Sequence, residues 1–221
     1  MNETSWLQNI GDECCDQELY GNIAEAISRK GYSINFNALP AALSEKLWLH
    51  LQQMNSEKFA SAGVGRAWHH QLNRFIRRDE ICWINGESEA GRAWLEWTQS
   101  LQVYLNRRLF LGLFSFESHF AHYAPGAFYK KHLDAFKGES NRRLSLVFYL
   151  NPGWLPEDGG ELVLDTDAEN QIRVTPAYGT LVTFLSEDFP HEVLPANRDR
   201  YSIAGWFRVN GSTPERVDPP R

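Results

Sequence analysis

Two spacings of apolar residues divide this chain. From Leu19 to Met54 they return every three or four positions: Leu19, Ile23, Ala26 and Ile27 share one helical face, and Leu43, Leu47, Leu51 and Met54 share another. The pattern up to about residue 60 is therefore helical. Trp94, Trp97, Leu101, Tyr104 and Leu105 repeat the spacing within 90–108 and predict a third helix able to cover a sheet. From Phe114 onward the period shortens to two. Strands are expected over 114–123, 129–134, 144–151, 160–165, 171–175, 179–186, 190–194 and 200–209, with turns at Pro125-Gly126, Asn151-Pro152-Gly153, Asp158-Gly159-Gly160 and Tyr178-Gly179. Eight short strands preceded by helices predict an α+β, mainly β architecture, a double-sheet jelly roll with N-terminal helices packed on one sheet.

Between the two regimes, Ser61 to Asp79 carries Gly63, Gly65, His69-His70 and the arginines 66, 74, 77 and 78, a composition that cannot form core and reads as a long surface loop. Asn210 to Arg221 is polar and proline-rich and is expected to fray. A helical part over 14–108, a jelly-roll core over 114–209 and the tail 210–221 make up one expected domain, 1–221.

Charge narrows the partners. The formal net charge is −6, with both signs interleaved along the chain, which argues against a nucleic-acid footprint. No apolar run approaches the ~20 residues of a spanning helix, and the first residues lack the basic and apolar regions of a signal peptide. Cys14, Cys15 and Cys82 are odd in number and two are adjacent, so no disulfide framework is expected. These features predict a cytoplasmic protein, a monomer or weak dimer, with no membrane contact.

The chemistry begins at His132-Leu133-Asp134. On a strand, residues two apart face the same way, so an imidazole and a carboxylate enter one cavity. A second histidine from across the sheet completes the facial triad that suits non-haem iron(II) and leaves coordination positions open. His191, just past the strand expected at 179–186, is the partner; the competing reading is a core histidine satisfied by hydrogen bonds. Along 200–207, Arg200, Ser202, Ala204 and Trp206 fall on one face. A charge, a hydroxyl, a methyl and one indole make a poor core, but they fit a ligand whose carboxylate meets the guanidinium fork. The alternative for Arg200 is a rim salt bridge with Asp199. On the strand before it, Leu144, Leu146, Phe148 and Leu150 face the helices while Ser145, Val147 and Tyr149 face the cavity, which offers the Tyr149 phenol to the same carboxylate. His69-His70 and His119-x-x-His122 bring no further ligand at metal spacing and read as loop and strand residues.

Taken together, the segment from about residue 70 to 209 resembles the 2-oxoglutarate oxygenases of prolyl-hydroxylase type, the oxygen-sensing prolyl hydroxylases and their bacterial relatives. The resemblance rests on His132-x-Asp134…His191, Arg200-Tyr201-Ser202-Ile203 with Trp206, Tyr149-Leu150-Asn151, Gly159-Gly160-Glu161-Leu162, Tyr123-x-Pro125-Gly126 and Arg78-Asp79-x-Ile81-x-Trp83-Ile84. It implies a double-stranded β-helix that binds Fe(II), 2-oxoglutarate and O₂, with ascorbate as a reductant. It assigns the metal to His132, Asp134 and His191, and the cosubstrate to Arg200, Tyr149, Tyr123, Ser202 and Trp206. Asp79, Trp83, Tyr129 and Arg142 are implied to meet the substrate. The implied reaction hydroxylates a proline in a protein, releasing succinate and CO₂; among the bacterial relatives that protein is elongation factor Tu. The loop between Asp134 and Tyr149 is slightly longer than in the animal enzymes, which leaves the peptide substrate open.

Two other readings stay open on the sequence. One is a 2-oxoglutarate oxygenase acting on a free amino acid, a small metabolite or another protein side chain. The other is a metal-binding jelly roll without catalysis, which has no use for a carboxylate clamp. The 61–79 loop is expected to fold over the cavity mouth when a protein substrate docks, with Asp79 pairing near the surface to Arg142 or Arg143 to fix the closed position.

Overall fold

The structure, a computed structural model, describes residues 3–62, 75–135 and 141–210, excluding the side chains of 3–15 and of Ser56. His69-His70, most of the expected lid and the tail lie outside the described residues.

Among the described residues, three α-helices and eleven strands follow in order. They are α1 (Glu3–Lys30), β1 (Tyr32–Asn35), α2 (Ala41–Gln53), β2 (Ala60–Ser61), β3 (Glu80–Trp83), α3 (Glu89–Leu109), β4 (Leu113–Tyr123), β5 (Tyr129–His132), β6 (Arg142–Tyr149), β7 (Leu162–Asp165), β8 (Gln171–Val174), β9 (Leu181–Leu185), β10 (His191–Val193) and β11 (Arg200–Val209). A seven-stranded sheet runs β1-β9-β6-β11-β4-β3-β2 and a four-stranded sheet runs β5-β10-β7-β8; every pairing is antiparallel. This is the expected double-sheet jelly roll. Three strands go beyond the sequence expectation: β1 interrupts a stretch expected to be helical, and β2 and β3 border the stretch expected to be loop. All three are two to four residues long, too short for a period to register.

The helices cover the outer face of the larger sheet. The α3 helix starts where the Ser88 side chain accepts a bond from the Gly91 N–H at 2.9 Å, and ends on Phe110 in a left-handed conformation, φ 54°. Arg107 and Arg108 in its last turn complement the helix dipole. Its buried stripe, Trp94, Trp97, Leu101 and Leu105, packs with Leu144, Leu146 and Phe148 of β6 in one core. The α1 face is centred on Tyr20, Ile23, Ala24 and Ile27, turned slightly from the expected one. The alternate face of the same sheet bounds a second cluster between the sheets, which includes Tyr123, Tyr149, Leu162, Leu164, Val182 and Phe184. The site opens beside that cluster. Among the described residues no helix is long and apolar enough to cross a membrane.

Candidate active site

Strand pairing alone brings the two histidines together. His132 is the last residue of β5, His191 is the first of β10, and the two are direct partners in the register, with ring centroids 4.3 Å apart. Each ring is set by its own backbone: Nδ1 of His132 stands 2.8 Å from the Lys130 carbonyl and Nδ1 of His191 stands 3.0 Å from that of Phe189. A carbonyl only accepts, so Nδ1 carries the proton in both rings and both Nε2 atoms keep their lone pairs for an ion. Asp134 lies two residues past the end of β5, not on the strand as expected, yet its side chain still enters the cavity. Its Oδ1 is 3.7 Å from Nε2 of His132 and its Oδ2 is 3.7 Å from Nε2 of His191. The three ligand atoms lie within 4.8 Å of one another, a spacing that can hold one metal ion.

The electrostatics match a cation. Burial works against the Asp134 carboxylate, but His191, His132, Arg142 and the Ser145 hydroxyl outweigh it and hold the pKa at about 2. Burial and the neighbouring His191 push His132 down to about 4, so it stays neutral at physiological pH.

Arg200 opens β11 and is 2% exposed. Its Nε donates to the Gly160 carbonyl at 2.8 Å, Nη1 lies 3.5 Å from Ser202 Oγ, and the guanidinium stands over the rings of Tyr123 and Tyr149, 5.0 Å from each. No acidic side chain among the described residues pairs with it, and Asp199 turns instead to His122 at 2.7 Å. A buried, hydrogen-bonded guanidinium with no counter-ion is costly unless an anion arrives. Beside it the Tyr149 hydroxyl is buried without a partner, and burial pushes its pKa up to about 12, partly offset by Arg200, so it remains a donor. Gly160 explains the paired glycines. At φ 71° it suits only glycine, and a Cβ there would stand 2.8 Å from Ala196 Cβ and 3.2 Å from Arg200 Cδ.

One cavity of about 250 Å³ joins these features; it is lined by the triad, by Arg200, Ser202, Ala204 and Trp206 of β11, and by Ser145 and Val147 of β6. The expected alternation holds along β11. On β6, Leu146, expected to face the helices, also reaches the lining. Tyr149, expected to face the cavity, is not among the lining residues and lies in the cluster between the sheets with Arg200 over its ring. Trp83, Tyr129 and Arg142 also line the cavity, as the substrate reading asks. Asp79 does not. It is 2% exposed and holds Arg77 through two bonds, Arg77 Nε to Oδ1 at 2.7 Å and Nη2 to Oδ2. Arg142 instead donates to Glu117 at 2.9 Å and lies over Trp206 at 3.7 Å. Asp79 is thus buried on Arg77, and not near the surface on Arg142 or Arg143 as expected for the closed state. Arg77 sits two positions away on extended chain, and its guanidinium lies over the Tyr129 ring at 4.3 Å, so it is the nearer partner.

His119, expected only as a strand residue, falls on the cavity face when counted back by twos from Tyr123. It is 3% exposed, between Trp83 at 5.2 Å and Trp206 at 5.5 Å. Burial, helped by Arg77, pushes it down to about 4. In the unfolded chain a histidine titrates near 6.5, so between about pH 6.5 and pH 4 the unfolded state binds the extra proton and stability falls as pH drops. His119→Phe is expected to flatten the pH dependence of urea unfolding of the metal-free protein in that window, by up to about 3 kcal/mol. Equal slopes in variant and parent would contradict this assignment.

The comparisons with known proteins agree with this geometry. Residues 118–208 match the model of the 2OG-Fe(II) oxygenase superfamily. The structure of a Pseudomonas putida prolyl-4-hydroxylase superposes with a TM-score of 0.79 at 40% identity, over 87% of this chain and all of that one. The chain belongs to the 2-oxoglutarate- and iron(II)-dependent oxygenases of prolyl-hydroxylase type. A Trichoplax adhaerens prolyl hydroxylase, solved with a peptide fragment of the hypoxia-inducible factor oxygen degradation domain, is 28% identical with a TM-score of 0.75 over 94% of each chain. Human prolyl hydroxylase EGLN3 is 29% identical over 143 residues, 61% of this chain. The chain spans 59% of the length of that curated relative.

Proposed function

We propose that this chain hydroxylates a prolyl residue of a protein, consuming 2-oxoglutarate and O₂ and releasing succinate and CO₂. The observation that carries the reading is one cavity holding both a His-Asp-His cluster and a buried guanidinium that no acid among the described residues pairs with. In this reading His132, Asp134 and His191 hold Fe(II), which with 2-oxoglutarate supplies an oxidant able to replace C–H by C–OH.

The remaining work falls to the chain's own groups. Arg200 takes the far carboxylate of 2-oxoglutarate through its fork, and the unpartnered Tyr149 hydroxyl donates a second bond. Ser202 and Ala204, between Arg200 and Trp206 on the strand, leave space for the carbon chain; Tyr123 walls it. The sheets exclude water from the inner end. At the mouth, the exposed Trp83 offers an apolar surface to a pyrrolidine ring. Tyr129 is stacked on His132 at 3.6 Å with Arg77 over its ring, and Asp79 contributes by fixing Arg77 there. That the Trichoplax relative was solved with a peptide supports a protein substrate.

Within that class we propose elongation factor Tu, on the strength of the resemblance to bacterial prolyl hydroxylases. Purified elongation factor Tu incubated with the enzyme, Fe(II), 2-oxoglutarate and air is expected to gain the mass of one oxygen on one proline, and to gain nothing when 2-oxoglutarate is omitted. An unmodified factor under conditions in which the enzyme hydroxylates another protein would remove this substrate and keep the reaction.

A further inference from the structure

The position of Asp134 raises a question that strand pairing does not answer. Both histidines are fixed by the β5–β10 register and by backbone carbonyls, but β5 ends at His132. What holds the carboxylate comes from the opposite sheet. Ser145 of β6 stands with its Oγ 2.6 Å from Asp134 Oδ2, and Ser186, just past β9, stands 2.9 Å from Ser145 Oγ. Both serines are buried, at 1% and 0% exposure. An ionised carboxylate only accepts, so Ser145 must donate to it; its single proton is then spent, and Ser186 must be the donor in the second bond. The chain of donors therefore runs Ser186 to Ser145 to Asp134. A distance of 2.6 Å is that of a charge-assisted O–H···O⁻ bond, and a donor chain of this kind strengthens along its length.

We propose that Ser145, backed by Ser186, is a positioning residue that holds Oδ2 of Asp134 and so presents the carboxylate to the metal through one oxygen, Oδ1. A one-oxygen ligand leaves an additional coordination position open to cosubstrate or O₂, which a carboxylate binding through both oxygens would occupy. Ser145 lines the cavity with its hydroxyl bonded to Asp134 and Ser186, and it contributes by orienting a ligand. The inference rests on the reading of the triad as the metal site.

The test is Mn(II) affinity of the metal-free protein, measured by calorimetry in the parent, Ser145→Ala, Ser145→Thr, Ser186→Ala and Asp134→Ala. Loss of an outer partner of a metal ligand costs roughly 10–100-fold in affinity, and that is the loss expected for Ser145→Ala. Ser145→Thr, which keeps the hydroxyl, is expected to restore binding to within a few-fold of the parent, and Ser186→Ala to lose less than Ser145→Ala. Parental affinity in Ser145→Ala overturns the proposal, as does an equal loss in the alanine and threonine variants, which would mark a packing effect. If Ser145→Ala does not fold, Ser186→Ala decides, and unchanged affinity there overturns the donor chain. Failure of the underlying site reading looks different: Asp134→Ala would then bind Mn(II) as the parent does.

Discussion

Replacing His132 or Asp134 with alanine is expected to abolish metal binding and 2-oxoglutarate turnover together. Each supplies one of three ligand atoms within 4.8 Å, and nothing nearby takes its place: among the described residues no other group of three or more His, Cys, Asp or Glu side chains gathers at metal-holding distance. The loss should exceed the roughly 10–100-fold typical of an outer partner, because here a bond to the ion itself is removed. Fold is not at stake to the same degree. His132 ends a short strand and Asp134 lies beyond it, and neither belongs to the core under the helices. Calorimetry with Mn(II), together with succinate release in the Fe(II) enzyme, measures both effects on the same preparation. Full succinate release from either variant would rule out this triad as the metal site.

Arg200→Lys separates cosubstrate binding from metal binding. Lysine keeps the charge but loses the planar fork, and its ammonium cannot reproduce the Nε bond to Gly160 while also reaching a carboxylate with two donors. The affinity for 2-oxoglutarate is expected to fall by roughly 10–100-fold, ~1.4–3 kcal/mol, with Mn(II) affinity unchanged. No rescue is expected from Arg77 or Arg142, which line the cavity but are engaged by Asp79 and Glu117, nor from Lys131 or Arg173. Lys131 pairs with Asp165 at 2.8 Å, and Arg173 is exposed on β8 outside the cavity lining. Unchanged 2-oxoglutarate affinity in Arg200→Lys would place the carboxylate elsewhere.

The parts of this molecule that were legible in the sequence are those a period can encode. Alternation along 144–150 and 200–206 placed Ser145, Val147, Ser202, Ala204 and Trp206 on the cavity wall, because a strand leaves each side chain no third direction. The i, i+3, i+4 stripe of Trp94, Trp97, Leu101 and Leu105 did the same for α3. Pairing across the chain was less legible. The pairing of Asp79 with Arg77, two positions away, is local, but its burial is not, since that depends on β3 lying between β4 and β2 in the larger sheet. The roles of Ser145 and Ser186 were invisible for the same reason: their bond joins positions 41 apart in sequence. His119 could have been found, as its parity with Tyr123 was available, but a histidine among apolar strand residues carries two readings until burial is known.

Hydroxylation of protein-bound proline is the activity on which the proposed function rests. Peptides from the host proteome, compared by mass spectrometry with this gene present, absent, and carrying the Asp134→Ala substitution, test that directly. The expected result is a proline one oxygen atom heavier in a small set of peptides from the first strain alone. A purified enzyme that turns over 2-oxoglutarate with a small-molecule substrate, while no proline differs among the three strains, would contradict it.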